Sequence, residues 1–250
     1  MHDSRRMLAL LAVLFSPPIN ASVANECLAT AIATRAEVQV SDGSDFVTET
    51  LFHSAREAAI RHELNPPQIA AVTDDIGWAE SGSGFEPGTN FHKLFALGHQ
   101  YHALLLYFDD VMSNVRAVDS VRFRQQSRAA FVGDYPFGGA AYLVLENGGE
   151  KALGLRFDFP DIPTIEVMFD DWREVDGRSL PFLARIDDGN LVFDYRYTSI
   201  EISEQPPTWF LDTLPIPEVA ALNAYRSERR RTGAACSEKD RSPKDPGPRD

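Results

Sequence analysis

The apolar residues of this chain change from a helical spacing to strict alternation near residue 118. From Asn90 to Ser113 they recur every three or four residues, which is the spacing of one face of an α-helix. Asn90 carries the kind of side chain that favours the N-cap position of a helix. The pattern predicts one long helix over 90–113, and a helix this apolar must be covered on most of its sides.

After residue 118, apolar and polar residues alternate with a period of two. Leucine, phenylalanine and tyrosine follow this alternation along 153–159, 165–170 and 191–198. Turn-forming sequences, such as 160–163, Asp176-Gly177 and 187–189, separate the runs. Each run has one apolar and one mostly polar face, which is typical of an antiparallel sheet that is half exposed to water. The chain therefore predicts an α+β fold in which an aromatic-rich sheet face is covered by the apolar helix.

The part of the chain before the helix predicts shorter strands. Residues 36–40 alternate, and 68–73 and 76–78 form a predicted strand pair. Residues 55–63 fit either a strand or a helix, and the Ser- and Gly-rich segment 81–89 predicts a loop.

Both ends of the chain differ from this central domain. Arg5 and Arg6 precede the uncharged apolar run 7–15, which is shorter than the roughly 20 residues of a membrane-spanning helix. With small residues before Ala24, the run predicts a signal peptide over 1–24, although a buried N-terminal helix is the alternative. Residues 224–250 are rich in charge and proline and predict a disordered tail. The folded domain is then 25–223, and its predicted location is periplasmic or secreted, without a transmembrane segment in the mature chain.

The charge of the chain narrows its possible partners. Its formal net charge is −13 at pH 7, and such a surface repels nucleic-acid phosphates and anionic lipid head groups. Nucleic acid is therefore excluded as the expected partner. An oxidising compartment would permit a disulfide between the two cysteines, Cys27 and Cys236. No Cys-x-x-Cys pair is present, so neither a zinc ribbon nor a thioredoxin-type redox site is predicted.

His99 and His102 form the most suggestive local pattern for chemistry. Residues three apart lie on roughly one side of a helix, so the two imidazoles can contribute to a metal site if a third ligand reaches them. A role in proton transfer is a second reading. The third reading is structural, with both rings bonded to strand carbonyls beneath the helix. No motif in the chain predicts a cofactor.

The order of elements resembles the bacterial lipoprotein-localisation carrier family (LolA/LolB-like) over roughly residues 34–203. The segment 171–182 passes from strand to strand through Asp176-Gly177 and restarts at Leu180-Pro181, and the run 193–197 followed by Ile200 fits the same theme. The resemblance implies a curved antiparallel sheet shaped like an incomplete barrel, with the long apolar helix covering its concave face. It also implies an apolar cavity that accepts acyl chains.

The function predicted on this basis is a periplasmic carrier or binding protein for an amphiphilic small molecule or an acylated protein. The predicted ligand contacts are Phe95, Tyr101, His102, Leu105, Phe108, Phe157, Phe193 and Tyr195. A filled, ligand-free core explains the same apolar face equally well. Two other functions stay open: a secreted enzyme or metal-binding protein that uses His99 and His102, and a protein-interaction module without a small ligand.

Overall fold

The computed structural model describes residues 31–203 apart from 55–56, 74–75, 82–84, 88, 148, 150 and 161. All described residues belong to one compact unit of the chain. The predicted signal peptide, the predicted tail, the two ends of the predicted domain and both cysteines lie outside the described residues.

Thirteen strands and three short helices form within the described residues. Six strands precede the helices: β1 (Ala31–Val40), β2 (Asp45–Ser54), β3 (Glu57–His62), β4 (Gln68–Thr73), β5 (Ile76–Ser81) and β6 (Phe85–Pro87). The helices are α1 (Asn90–Gly98), α2 (Tyr101–Leu106) and α3 (Phe108–Val111). Seven strands follow: β7 (Ser113–Phe123), β8 (Gln126–Asp134), β9 (Ala140–Leu145), β10 (Ala152–Asp158), β11 (Ile165–Val175), β12 (Arg178–Asp187) and β13 (Val192–Ser203).

All thirteen strands belong to one open antiparallel sheet, in the order β6-β5-β4-β3-β2-β1-β13-β12-β11-β10-β9-β8-β7. The first six strands form one meander and the last seven form another. The two meanders join where β1 pairs with β13, with Val38 opposite Tyr195. The helices connect β6 at one edge of the sheet to β7 at the other, so the helical segment links the two edge strands.

The helices pack on the apolar face of the sheet. The main core contains Ala96, Leu97 and Leu104 from the helices together with strand residues from both meanders, such as Phe52 and Phe157. Helix α1 contacts β3, β4 and β5. The alternating runs at 153–159, 165–170 and 191–198 lie in strands as predicted, apart from their end residues Phe159 and Leu191. An alternating strand buries one face and leaves the other, polar face exposed.

The predicted single helix over 90–113 is wrong, since the segment forms three short helices and ends in a strand. The first break lies at His99 and Gln100. Their side chains donate to helix carbonyls in place of the backbone N–H groups of a continuing helix. The Nδ1 of His99 donates to the carbonyl of Phe95 (2.8 Å), and the Nε2 of Gln100 donates to the carbonyl of Ala96 (2.9 Å). These bonds satisfy carbonyls at the end of α1 that would otherwise need a continuing helix.

Gln100 also ties the break to the sheet. Its Nε2 donates to the carbonyl of Ala59 in β3 (2.9 Å), a residue 41 positions earlier in the chain. A second break follows at Tyr107, whose backbone is not helical (φ −134°, ψ 36°). Helix α1 starts at Asn90 with Thr89 as its N-cap, one residue before the predicted cap.

The strands before the helices follow the sequence pattern with two additions. The ambiguous segment 55–63 contains strand β3, and the strand pair at 68–73 and 76–78 is confirmed by β4 and β5. The predicted loop at 81–89 is only partly a loop. It contains the end of β5 and the three-residue strand β6, which pairs with β5.

Candidate functional site

A cavity of about 490 Å³ lies between the helical segment and the sheet. Its volume is within the usual range of ligand pockets, about 300–1,000 Å³. Helix α1 and the start of α2 form one wall, and strands from both meanders form the other. The apolar residues of the wall are Phe46, Leu64, Phe91, Leu94, Phe95, Phe157, Phe159, Ile162, Pro163, Ile165, Ile186 and Phe193, and its polar residues are His62, Gln68, His99, Tyr101, Asp188, Asn190 and Tyr195.

Aromatic rings account for much of the wall and pack against one another. Phe157 and Phe159 stack with ring centroids 5.7 Å apart, and Tyr101 meets Tyr195 edge to face at 6.2 Å. Rings held by such contacts have fixed positions, because edge-to-face and offset-stacked pairs are favoured over other arrangements. The wall is therefore an ordered apolar surface.

Exposed apolar side chains surround the same cavity. Leu64, Phe91 and Ile162 are 39%, 57% and 36% exposed, and all three line the cavity. Among the described residues, Trp172 is the one other large apolar side chain that is comparably exposed. Apolar residues that cluster at one exposed place indicate a site of contact with a ligand or partner, whereas isolated ones need no explanation.

Four polar rings interrupt the apolar wall. His62, His99, Tyr101 and Tyr195 line the cavity. Their centroids are 6.0 Å apart from His62 to His99, 5.8 Å from His99 to Tyr101, and 6.2 Å from Tyr101 to Tyr195. We call these four residues the polar row. They come from β3, the α1–α2 junction, α2 and β13, so the row exists only when the helices are docked on the sheet.

Burial keeps every member of the polar row uncharged near neutral pH. It lowers the pKa of His62 to about 3, with a further lowering from the nearby His99 ring. It lowers the pKa of His99 to about 4, although the bond to the Phe95 carbonyl acts in the opposite direction. Burial raises the pKa of both the Tyr101 and the Tyr195 hydroxyl. The charged form of each group is disfavoured because it would lose its hydration.

The structure brings together five of the eight predicted ligand contacts. Phe95, Tyr101, Phe157, Phe193 and Tyr195 line the cavity. The other three do not line it: His102, Leu105 and Phe108 are buried in the packing of α2 and α3. Binding of a ligand by any of the eight stays a prediction.

The break in the helix explains why His102 and His99 have different surroundings. The Nε2 of His102 donates to the carbonyl of Pro181 in β12 (2.9 Å), and its ring meets Tyr197 edge to face at 4.4 Å. His99 instead faces Phe95 and the cavity. Within the described ranges, no group of three or more His, Cys, Asp or Glu residues is arranged to hold a metal ion. Metal binding by the two histidines stays a prediction.

Sequence reasoning missed several residues of the cavity wall. His62 and Phe46 lie on strands that precede the helix, and their rings meet edge to face at 4.8 Å. Ile162 and Pro163 lie between β10 and β11, in a segment that the sequence identified only as a turn. The apolar character of that turn was the available signal, because turns that face only water are usually polar.

None of the helices in the described part of the chain combines the length and the apolar character needed to cross a membrane.

No protein-family model matches the sequence, and no curated protein matches it. Solved structures match through the fold. A LolA superfamily protein from Nitrosomonas europaea is 8% identical with a TM-score of 0.49, and covers 82% of this chain and 96% of its own. A DUF1329 family protein from Desulfovibrio piger is 6% identical with a TM-score of 0.49, at 82% and 95% coverage.

A third match is an outer membrane lipoprotein-sorting protein domain from Vibrio parahaemolyticus. It is 8% identical, covers 87% of this chain and 97% of its own, and has a TM-score of 0.50. The resemblance found in the sequence is thus confirmed for the fold. This chain has the open antiparallel fold of the lipoprotein-sorting domain.

Proposed function

We propose that this protein is a periplasmic carrier or binding protein for an amphiphile, either a lipid or an acylated protein. The apolar chain of the ligand lies in the cavity between α1 and the sheet. The observation that carries this proposal is the apolar cavity of about 490 Å³ with exposed apolar residues around it. The basic and apolar pattern of residues 1–24, which predicts export, supports the periplasmic location.

The volume of the cavity suits one long apolar chain. A methylene group fills about the volume of a water molecule in the liquid, about 30 Å³, so the cavity holds roughly 16 methylenes. Their burial contributes about 0.8 kcal/mol each, or about 13 kcal/mol in total. Association costs at least about 4 kcal/mol in lost freedom of motion. The remainder is at most about 9 kcal/mol, so the tightest dissociation constant expected is a little below about 1 μM, which corresponds to about 8 kcal/mol.

The fold is compatible with this function. The Vibrio parahaemolyticus domain, whose name assigns it to lipoprotein sorting, has the same open sheet. The acidic surface favours a ligand that enters through apolar contacts over one held by its negative charge.

The proposal is tested by displacement of a fluorescent fatty acid with saturated fatty acids of increasing length. We expect affinity to rise with each added methylene up to about 16 carbons and then to level, because longer chains no longer fit. Absence of binding, or an affinity that does not depend on chain length, would contradict the proposal.

Two matched variants locate the binding site. Ile165 is half-buried and lines the cavity, whereas Ile202 is half-buried in β13 and does not line it. Ile165→Trp fills part of the cavity, so we expect at least a tenfold loss of affinity. Ile202→Trp makes the same chemical change elsewhere and should leave the affinity within about twofold of the wild type. Equal losses in the two variants would place the binding site outside the cavity.

A further inference from the structure

The polar row carries an inference that rests on the proposed function and specifies the ligand more closely. Tyr101 and Tyr195 are only 3% and 4% exposed and both line the cavity. Neither hydroxyl forms a hydrogen bond with another described residue. Both hydroxyl oxygens stay accessible to water. A ligand chain that fills the cavity displaces this water and leaves the hydroxyls unpaired unless the chain supplies a partner, which costs free energy.

His99 lies between Tyr101 and His62 in the polar row, and its hydrogen bond defines which ring nitrogen donates and which accepts. A carbonyl oxygen only accepts, so the bond of His99 to the Phe95 carbonyl places the proton on Nδ1. The ring is neutral, and its Nε2 is therefore an acceptor with a free lone pair. Nε2 has no hydrogen bond to any residue in the described part of the chain.

His62 adds a second unsatisfied imidazole at the other end of the row. It is 5% exposed, and its Nδ1 is buried without a hydrogen-bond partner among the described residues. The row thus offers two hydroxyls, which donate and accept, and the Nε2 of His99 as an acceptor beside them, while the unpaired Nδ1 of His62 is too buried to meet a ligand. No charged side chain belongs to it.

This combination matches an uncharged group that both donates and accepts. A hydroxyl donates its proton to the Nε2 of His99 and accepts from a tyrosine hydroxyl. A carboxylate only accepts, would leave the imidazole acceptor unpaired, and would bury a charge without a cation. A plain alkyl chain leaves all the polar groups unpaired. We propose that the cavity selects an amphiphile whose apolar chain carries a hydroxyl group, which binds Tyr101, Tyr195 and His99.

The test compares chains that differ only in the hydroxyl. Hexadecanoic acid is compared with hexadecanoic acids that carry one hydroxyl near the carboxyl end, in the middle, or at the methyl end, all by displacement of the same fluorescent probe. We expect one of the hydroxylated chains to bind at least about tenfold more tightly than the unsubstituted chain, which is the gain from two ordinary hydrogen bonds. The chains with a hydroxyl at the other positions place it against the apolar wall, and they should bind more weakly than the preferred hydroxylated chain.

Variants that remove only the hydroxyls identify the residues responsible. In Tyr101→Phe/Tyr195→Phe the preference for the hydroxylated chain should disappear, because the hydroxylated chain loses its partners and hexadecanoic acid no longer leaves two hydroxyls unpaired. Tyr197→Phe is the matched control, because Tyr197 is buried on the same strand as Tyr195 but does not line the cavity. This control should keep the preference.

The outcomes separate this inference from the proposed function. Equal binding of hydroxylated and plain chains overturns the inference and leaves the carrier function intact. A preference that survives in the double variant overturns the assignment to the two tyrosines. Failure of every chain to bind overturns the proposed function and the inference together.

Discussion

His102 allows a quantitative test of how the helical segment is docked on the sheet. Its ring is 2% exposed, donates through Nε2 to the Pro181 carbonyl, and packs against Tyr197. Burial lowers its pKa to about 4 in the folded protein, whereas an unfolded chain has a histidine pKa of about 6.5. In His102→Gln a side-chain amide that does not titrate can still donate to Pro181.

The size of the effect follows from the two pKa values. Above pH 6.5 both states hold a neutral His102, and its full contribution to stability is present. As the pH falls from 6.5 towards 4 the unfolded state binds a proton that the folded state does not, so stability is lost. At pH 5 the folded ring carries about a tenth of a proton and the unfolded one almost a full proton. The wild type therefore loses about 2 kcal/mol between pH 7.5 and pH 5 through this residue.

The assay is urea unfolding followed by tryptophan fluorescence, for wild type and His102→Gln, at several values between pH 7.5 and pH 5. We expect the difference in the free energy of unfolding between the two proteins to shrink by about 2 kcal/mol across this range. Asp109 and Asp110, whose pKa is raised by burial, act in the opposite direction but are common to both proteins and cancel.

Tyr197→Phe is the control, because it changes the ring packed against His102 without removing a group that titrates in this range. Its effect on stability should be the same at pH 7.5 and pH 5. A difference between wild type and His102→Gln that does not depend on pH would refute the docking of a neutral, buried His102 against β12.

Three further predictions concern the helix break, the cavity mouth and the sheet. Gln100→Ala removes the donor to two buried carbonyls, so we expect a loss of about 1–3 kcal/mol in urea unfolding. Phe91→Ser should change stability by less than about 0.5 kcal/mol, because Phe91 is largely exposed, yet weaken fatty-acid binding; Trp172→Ser, away from the cavity, should not weaken it. Gly154→Ala would place a methyl group 2.0 Å from the Val167 carbonyl oxygen, so we expect the free energy of unfolding to fall by at least about 2 kcal/mol. An unchanged free energy of unfolding would mean that β10 and β11 move apart to admit the methyl group.

The strands could be predicted because their pattern is local. At Leu155 and Phe157 in β10, and at Phe193, Tyr195 and Tyr197 in β13, apolar residues are separated by one polar residue, and this alternation indicates which face is buried. The order of the second meander follows from its short turns. At Asp176-Gly177 both residues have positive φ, as a tight hairpin turn requires.

The break in the helix could not be predicted because its causes are distant in sequence. The apolar spacing continues through 98–100, but the side chain of Gln100 bonds to Ala59 across 41 residues. Helical spacing carries no information about such a partner. The start of strand β7 was missed for a different reason. Its first residues lie at the sheet edge, are mostly exposed and do not alternate between apolar and polar.

The candidate site was predicted in part for the same reasons. Phe95, Tyr101 and Tyr195 belong to strongly apolar elements, so a face-based argument finds them. His102 and His99 were expected to share one side of a continuous helix, and the break separates their surroundings. His62 reaches the cavity only through the pairing of the first meander, which the sequence did not specify.

The central claim, that an acyl chain lies between α1 and the sheet, is tested most directly by a crystal structure with a brominated hexadecanoic acid. The account predicts anomalous signal from the bromine inside the cavity bounded by Phe95, Phe157 and Tyr195. Bromine found only on the outer surface, or a cavity closed by its own side chains in the presence of saturating ligand, would contradict it.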